Sequence, residues 1–256
     1  MLRKMEKKIL PGAEPIFIKG GKNGLLLIHG FTGSPYEMKP LAERFAKQGY
    51  TISAPLLCGH GTKAEDMLPC KWYDWFINVK EALFALRKTC DTIFVAGLSM
   101  GGSLALHLAA HYQIEGVIAL APGLILKDKK AGLIKYVTPF MKMKKKSGPR
   151  ADINTDEKDK TVNYDKIPLK PTLELLKLFN HLEMDLPEIY APLFLAHSQN
   201  DHVVAFESSE IIYKKVSSKN KQFLRLKESF HILTLDVEKE ILFREIDLFV
   251  KSINKS

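Results

Sequence analysis

From residue 16 to residue 121, short unbroken apolar runs alternate with amphipathic stretches. IFI and LLLIHG lead to a helical pattern from Pro35 to Gln48, then TISAPLL, a helical pattern from Trp72 to Lys88, TIFVAGLS, a helical pattern from Met100 to about His111, and GVIALAP. Strands without polar alternation suit burial on both faces, and the intervening helices supply the crossovers that parallel pairing requires. This rhythm restricts the chain to the α/β class, with a mostly parallel central sheet and helices on both faces. It resumes after Pro187 with a strand from about Ala191 to His197, a helix from Phe206 to Val216, the strand KQFLRLKE and a last helix from Val237 to Ile253.

Residues 122–187 interrupt the pattern and are far longer than a crossover loop. The chain therefore divides into a core, residues 1–121 and 188–256, and an insertion, residues 122–187. The later part of the insertion, TLELLKLFNHLEMDL, places Leu175, Leu176, Phe179, Leu182 and Leu186 on one helical face, with Pro171 in the first turn and Pro187 as a stop. Its earlier part mixes Leu133, Ile134, Val137, Phe140 and Met141 with lysines, and Pro139 forbids one unbroken helix there.

Lys and Arg number 38 against 29 Asp and Glu. Nearly all the excess lies between Lys127 and Arg150, where nine basic residues accompany one acid, Asp128. No nucleic-acid reading module accompanies the cluster, so no nucleic-acid partner is expected. The three cysteines, Cys58, Cys70 and Cys90, lack paired C-x-x-C spacing and read as reduced thiols of a cytoplasmic protein. Charges interrupt the N-terminal stretch where a signal peptide needs an apolar run, and no run of about 18 apolar residues could span a membrane.

The chemistry concentrates at Gly97-Leu98-Ser99-Met100-Gly101, a G-x-S-x-G at the point where TIFVA hands over to a small-residue helix. A serine on such a tight strand-to-helix turn is lifted above the sheet, and the flanking glycines permit contacts that a Cβ would obstruct. A serine hydroxyl needs a base, and the base needs an orienting acid. Asp201 follows the strand APLFLAHS and His231 follows KQFLRLKE, so the order is Ser, acid, His, with both partners at strand ends. His202, next to Asp201 in an extended loop, points away from it and is a poor base. The loop His29-Gly30-Phe31-Thr32-Gly33 follows GLLLI, and the backbone N–H of Phe31 together with that of Met100 could hold an oxyanion. His29 and Gly59-His60-Gly61 read as loop architecture. His107 and His111 have the i, i+4 spacing of a metal-binding helix, but Leu108 stands where H-E-x-x-H needs its Glu, so no metal or other cofactor is expected.

LLLIHGFTG, APLLCGHGT, VAGLSMGG, YAPLFLAHSQNDHVV and FHILTLD resemble, in order and spacing, the bacterial carboxylesterases and monoacylglycerol lipases of the α/β-hydrolase superfamily. The resemblance implies Ser99 as nucleophile, Asp201 as acid, His231 as base, and the Phe31 and Met100 amides as oxyanion hole. It also implies that residues 122–187 form a cap or lid over an acyl pocket, with Leu175, Leu176 and Phe179 as candidate lining residues. The expected activity is ester hydrolysis through an acyl-enzyme, on monoacylglycerols or short-to-medium acyl esters. Thioester hydrolysis and a non-catalytic ligand-binding homologue stay open as alternatives. Phe230 departs from the small residue this family often has before the histidine. The lysine-rich insertion suggests peripheral contact with an anionic membrane surface.

Overall fold

The computed structural model describes residues 8–146, 152–155 and 162–254; the N-terminal basic start and Arg150 lie outside the described residues. The first part of the chain forms β1 (Ile16–Ile18), β2 (Asn23–Ile28), α1 (Lys39–Lys47), β3 (Thr51–Ala54), α2 (Trp72–Arg87), β4 (Thr92–Leu98), α3 (Met100–His111) and β5 (Gly116–Leu120). The insertion contributes α4 (Ile134–Val137), β6 (Met143–Lys145), β7 (Lys166–Pro168) and α5 (Leu169–Asp185). The last part adds β8 (Leu193–Ser198), α6 (Glu207–Lys215), β9 (Lys221–Leu226) and α7 (Lys239–Ile253).

One sheet runs in the order β1-β3-β2-β4-β5-β8-β9. Its strands pair in parallel except β1, which is antiparallel to β3. The period-2 alternation of the strands explains their apolar runs. Leu26 and Ile28 of β2, Val95 of β4, Val117 of β5 and Leu195 of β8 face the core shared with α2, α3 and α5. Leu25 and Leu27, Phe94, Ile118 and Phe194 face the core shared with α1 and α7. Both faces are covered, so these positions are apolar on either side of the sheet.

α5 presents Leu175, Leu178, Phe179 and Leu182 to the same core as Leu104 and Leu108 of α3. Truncating one of these leucines to alanine would cost about 2 to 5 kcal/mol. Leu178, which the expected face left out, is fully buried in this core, and Leu176 packs against it half-buried, because one residue turns the side chain about 100° around the helix axis. α4 ends at Val137, two residues before Pro139. Beside it Leu133, Tyr136, Val137, Phe140 and Met141 are exposed, Phe140 to 92%.

The cysteine expectation needs correction. Cys58 and Cys70 form a disulfide, and Cys90 alone is free and buried. The loop after β3 doubles back through left-handed Gly59 and Gly61 and a 3-10 turn at Ala64–Met67. This brings the two Cα atoms to 6.2 Å despite a separation of 12 residues, so short-range spacing could not reveal the pair. The argument for a cytoplasmic location from three reduced thiols therefore falls. Among the described residues no helix is long and apolar enough to cross a membrane.

Candidate active site

Ser99 stands between the last residue of β4 and the first of α3 with φ 55° and ψ −118°. For a non-glycine residue such a backbone costs of the order of 1–3 kcal/mol and persists only where the surroundings enforce it. Here the Ser99 N–H donates to Leu120 O at 2.8 Å. A Cβ on Gly97 would lie 2.0 Å from Gly101 O, and one on Gly101 would lie 2.1 Å from Ile28 O. Both glycines of the motif are thus required by backbone approach. Met100 opens α3, so its N–H has no acceptor one turn earlier within the helix and is available to a ligand.

The loop after β2 comes alongside. A Cβ built on Gly30 would lie 3.5 Å from that of Ser99, which places Phe31 at the edge of the elbow. The Phe31 ring meets Trp75 edge-on at 5.8 Å and His60 at 6.3 Å. His29 is buried; its Nδ1–H donates to Gly30 O at 2.9 Å and its Nε2 accepts the Leu57 N–H at 3.2 Å. Burial lowers its pKa to about 4, so it is a neutral brace. His60, also buried, donates from Nδ1 to Cys58 O.

At the ends of β8 and β9 the other two residues meet. His231 Nδ1 donates to Asp201 Oδ2 at 2.6 Å, and His197 Nε2 donates to the same oxygen at 3.1 Å. Asp201 Oδ1 accepts the N–H groups of Val203 and Val204 at 2.7 and 2.9 Å. Burial alone would raise the Asp201 pKa, but the adjacent His231 charge and the histidine hydrogen bonds reverse this and hold it well below the usual carboxylate range. Burial works against a charged His231, yet Asp201, with Glu37 and Asp152 behind it, carries its pKa above the ordinary histidine value. His202 is exposed, its ring 4.8 Å from that of Phe230, and Phe230 turns toward it.

Three polar residues at this site escape sequence reading. Glu37, buried at the start of the first helical segment, accepts the Gly30 N–H at 2.9 Å, and its backbone O accepts the Thr234 hydroxyl at 2.5 Å. A Cβ on Gly33 would fall 2.1 Å from its carboxylate. Burial raises its pKa to about 7 against the opposing effects of the Gly30 N–H, His231 and Lys146. Asp236 accepts the N–H groups of Phe230 at 2.7 Å and Asn154 at 3.0 Å, pinning the His231 loop. His197, held by Ser209 at 2.7 Å, orients Asp201 from behind. Patterns such as PYEMKP and AHSQND look like surface segments, and only the long-range contacts mark these residues.

The insertion leans on both loops. Asp152 O accepts the N–H groups of His231 and Ile232 at 3.0 and 2.8 Å. Tyr164 N donates to Thr32 O at 3.1 Å, and its hydroxyl donates to Gly59 O at 2.8 Å. Lys146 Nζ donates to Thr32 Oγ1 at 3.3 Å and so belongs to this contact, apart from the outer lysines. Of the three candidate acyl-lining residues, Leu175 and Phe179 are buried against the core and Leu176 packs at its margin. His107 and His111 lie farther along α3, outside this constellation.

A parallel sheet with a strained serine elbow after its central strand, and a histidine and carboxylate at later strand ends, defines the α/β-hydrolase class. The chain belongs to the α/β-hydrolase family of bacterial carboxylesterases and monoacylglycerol lipases; the family model described as serine aminopeptidase, S33, matches residues 21–238. It is 37% identical to the thermostable monoacylglycerol lipase of Bacillus sp. strain H-257, over 95% of this chain and 96% of that one. It is 29% identical to a carboxylesterase of Bacillus subtilis strain 168, over 94% of this chain and 97% of that one. A solved structure from the metagenome-derived lipolytic enzymes LipS and LipT superposes with a TM-score of 0.90 at 33% identity, covering 95% of this chain and 100% of that chain.

Proposed function

We propose that this carboxylic ester hydrolase acts through an acyl-enzyme on Ser99, with monoacylglycerols and short-to-medium acyl esters as its substrates. The observation that carries the reading is the 2.6 Å hydrogen bond from His231 Nδ1 to Asp201, which leaves Nε2 as the basic nitrogen. In this reading Nε2 takes the Ser99 proton as Oγ attacks the carbonyl carbon. The N–H groups of Phe31 and Met100 hold the resulting oxyanion. The imidazolium then protonates the departing alcohol, and a water molecule, deprotonated by the same nitrogen, releases the carboxylic acid and restores Ser99. Asp201 keeps the imidazole in the required tautomer and stabilises its charged form.

The preference for monoacylglycerol draws on the activity named for the Bacillus sp. relative. The insertion serves in this reading as the cap over the acyl chain. Its exposed Leu133, Tyr136, Val137, Phe140 and Met141, beside exposed Lys135, Lys142, Lys144 and Lys145, suit a surface that rests on anionic lipid. The experiment is fluorophosphonate labelling of Ser99, followed by rates across acyl lengths and head groups, with an aminoacyl anilide as the peptidase control. Labelling with fast 1-monoacylglycerol turnover is expected. Absence of labelling, or anilide cleavage faster than ester cleavage, would overturn the reading.

A further inference from the structure

The i, i+4 pair His107 and His111 gains a third member that its own helix does not supply. Asp185, the last residue of α5, places Oδ2 2.5 Å from His107 Nδ1 and 3.5 Å from His111 Nε2. These three ligand atoms all lie within 4.8 Å of one another. Tetrahedral coordination at about 2.0–2.2 Å per bond needs ligand atoms about 3.4 Å apart, so shifts of about 1 Å would complete it. The His107 side chain is 7% exposed and Asp185 18%, while His111 is 48% exposed and leaves a way in from solvent. The His107 ring is fixed edge-on against Phe76 at 4.5 Å and Trp72 at 5.5 Å, so its Nδ1 is pre-aimed at Asp185.

We propose that His107, His111 and Asp185 form a transition-metal site of the zinc class that pins α5 of the insertion to α3. Two imidazole nitrogens and one carboxylate suit Zn2+ and related cations, whereas Mg2+ and Ca2+ favour all-oxygen shells. His111 also lines a cavity of about 380 Å3 together with Tyr112, Glu188 and Tyr190, so solvent reaches this member of the site and water can supply a further ligand. The site is structural. Leu108, where a zinc hydrolase of the H-E-x-x-H type would carry its general base, is fully buried in the core. His107 also lies eight residues along α3 from Ser99, a rise of about 12 Å. The cation would therefore tie the long helix of the insertion to the helix that starts at the serine elbow, without touching the reacting atoms.

The test uses the full chain stripped with EDTA and titrated with Zn2+ by calorimetry, with melting followed in parallel. One Zn2+ per chain is expected. At about a hundred times the measured Kd it should raise Tm by about 5 to 10 °C, and Mg2+ at equal concentration should do nothing. His111→Ala and Asp185→Asn should each weaken binding at least tenfold and abolish the Tm rise, each judged against its own metal-free Tm. Ester turnover in EDTA at 25 °C should stay within twofold of wild type in both. No Zn2+ uptake by the wild type, or uptake of undiminished strength by both variants, would overturn the proposal.

Discussion

His231 and Asp201, 30 residues apart, share a 2.6 Å hydrogen bond inside the protein, and His197 donates to the same carboxylate oxygen at 3.1 Å. Asp201 is thus held by groups that require an acceptor. Asp201→Asn would present an amide N–H to at least one of these donors and favour the tautomer in which His231 Nε2 carries the proton. We expect kcat to fall by about 10^3 to 10^4 with KM changed less than threefold. Steady-state kinetics with a soluble ester decide it, and full activity in the variant would transfer the acid's role elsewhere.

The pH dependence has a defined sign. In the proposed mechanism His231 must be neutral to accept the serine proton, and Asp201 raises its pKa against the opposing effect of burial. The rate should therefore rise with pH through a midpoint above the reference of about 6.5. Removing the carboxylate charge lowers that pKa, so the residual activity of Asp201→Asn should show its midpoint at lower pH. Profiles of kcat/KM for the two proteins test both statements.

Ser99→Ala and His231→Ala should each lower turnover by about 10^4 or more, and the double variant should be scarcely worse than either. Losses that multiply would show that the two side chains act in separate steps.

Glu37 gives a stability prediction. Its pKa is about 7 in the folded chain against 4.5 for the unperturbed group, chiefly through burial, with Asp152 adding to the rise and His231 and Lys146 opposing it. Between these values the folded chain holds a proton that the unfolded chain has lost, so stability falls as pH rises, by about 3 kcal/mol in all. Glu37→Gln should flatten that slope while keeping most activity, because the amide oxygen can still accept the Gly30 N–H. Glu37→Ala leaves that N–H without its partner and should lower both kcat and Tm. Urea unfolding at pH 5 and pH 8 separates the cases, and parallel slopes for wild type and Glu37→Gln would remove Glu37 as the source.

A Lys142, Lys144, Lys145→Gln variant should lose tenfold or more in binding to vesicles rich in anionic lipid at low salt, and little at high salt. Lys146 is left in place because it contacts Thr32. Hydrolysis of a soluble ester should be unchanged. Equal co-sedimentation of variant and wild type would reduce the outer lysines to a solubility feature.

Most of the sheet was legible because β2, β4, β5 and β8 are buried on both faces and so cannot alternate with polar residues. The Ser99 turn was legible because the close approaches at Gly97 and Gly101 leave glycine as the only residue that fits. Relationships spanning sequence distance were not. The pairing of Cys58 with Cys70 depends on how one loop doubles back, and the roles of Glu37, His197 and Asp236 arise only when separate loops converge. On α5 the apolar stripe is wide in sequence, so Leu178 enters the core that α3 shares while Leu176 packs at its margin, a difference of depth that the spacing alone does not give.

Glu37 holds Gly30 through its carboxylate and Thr234 through its backbone oxygen. The loop after β2 and the loop that carries His231 are therefore surveyed from a single reference point. A drift of this segment relative to the sheet carries both loops in the same direction, and the separation between them changes less than either position does. A single anchor of this kind favours common displacement of the two loops over relative displacement, and so would preserve the mutual geometry of the groups they carry.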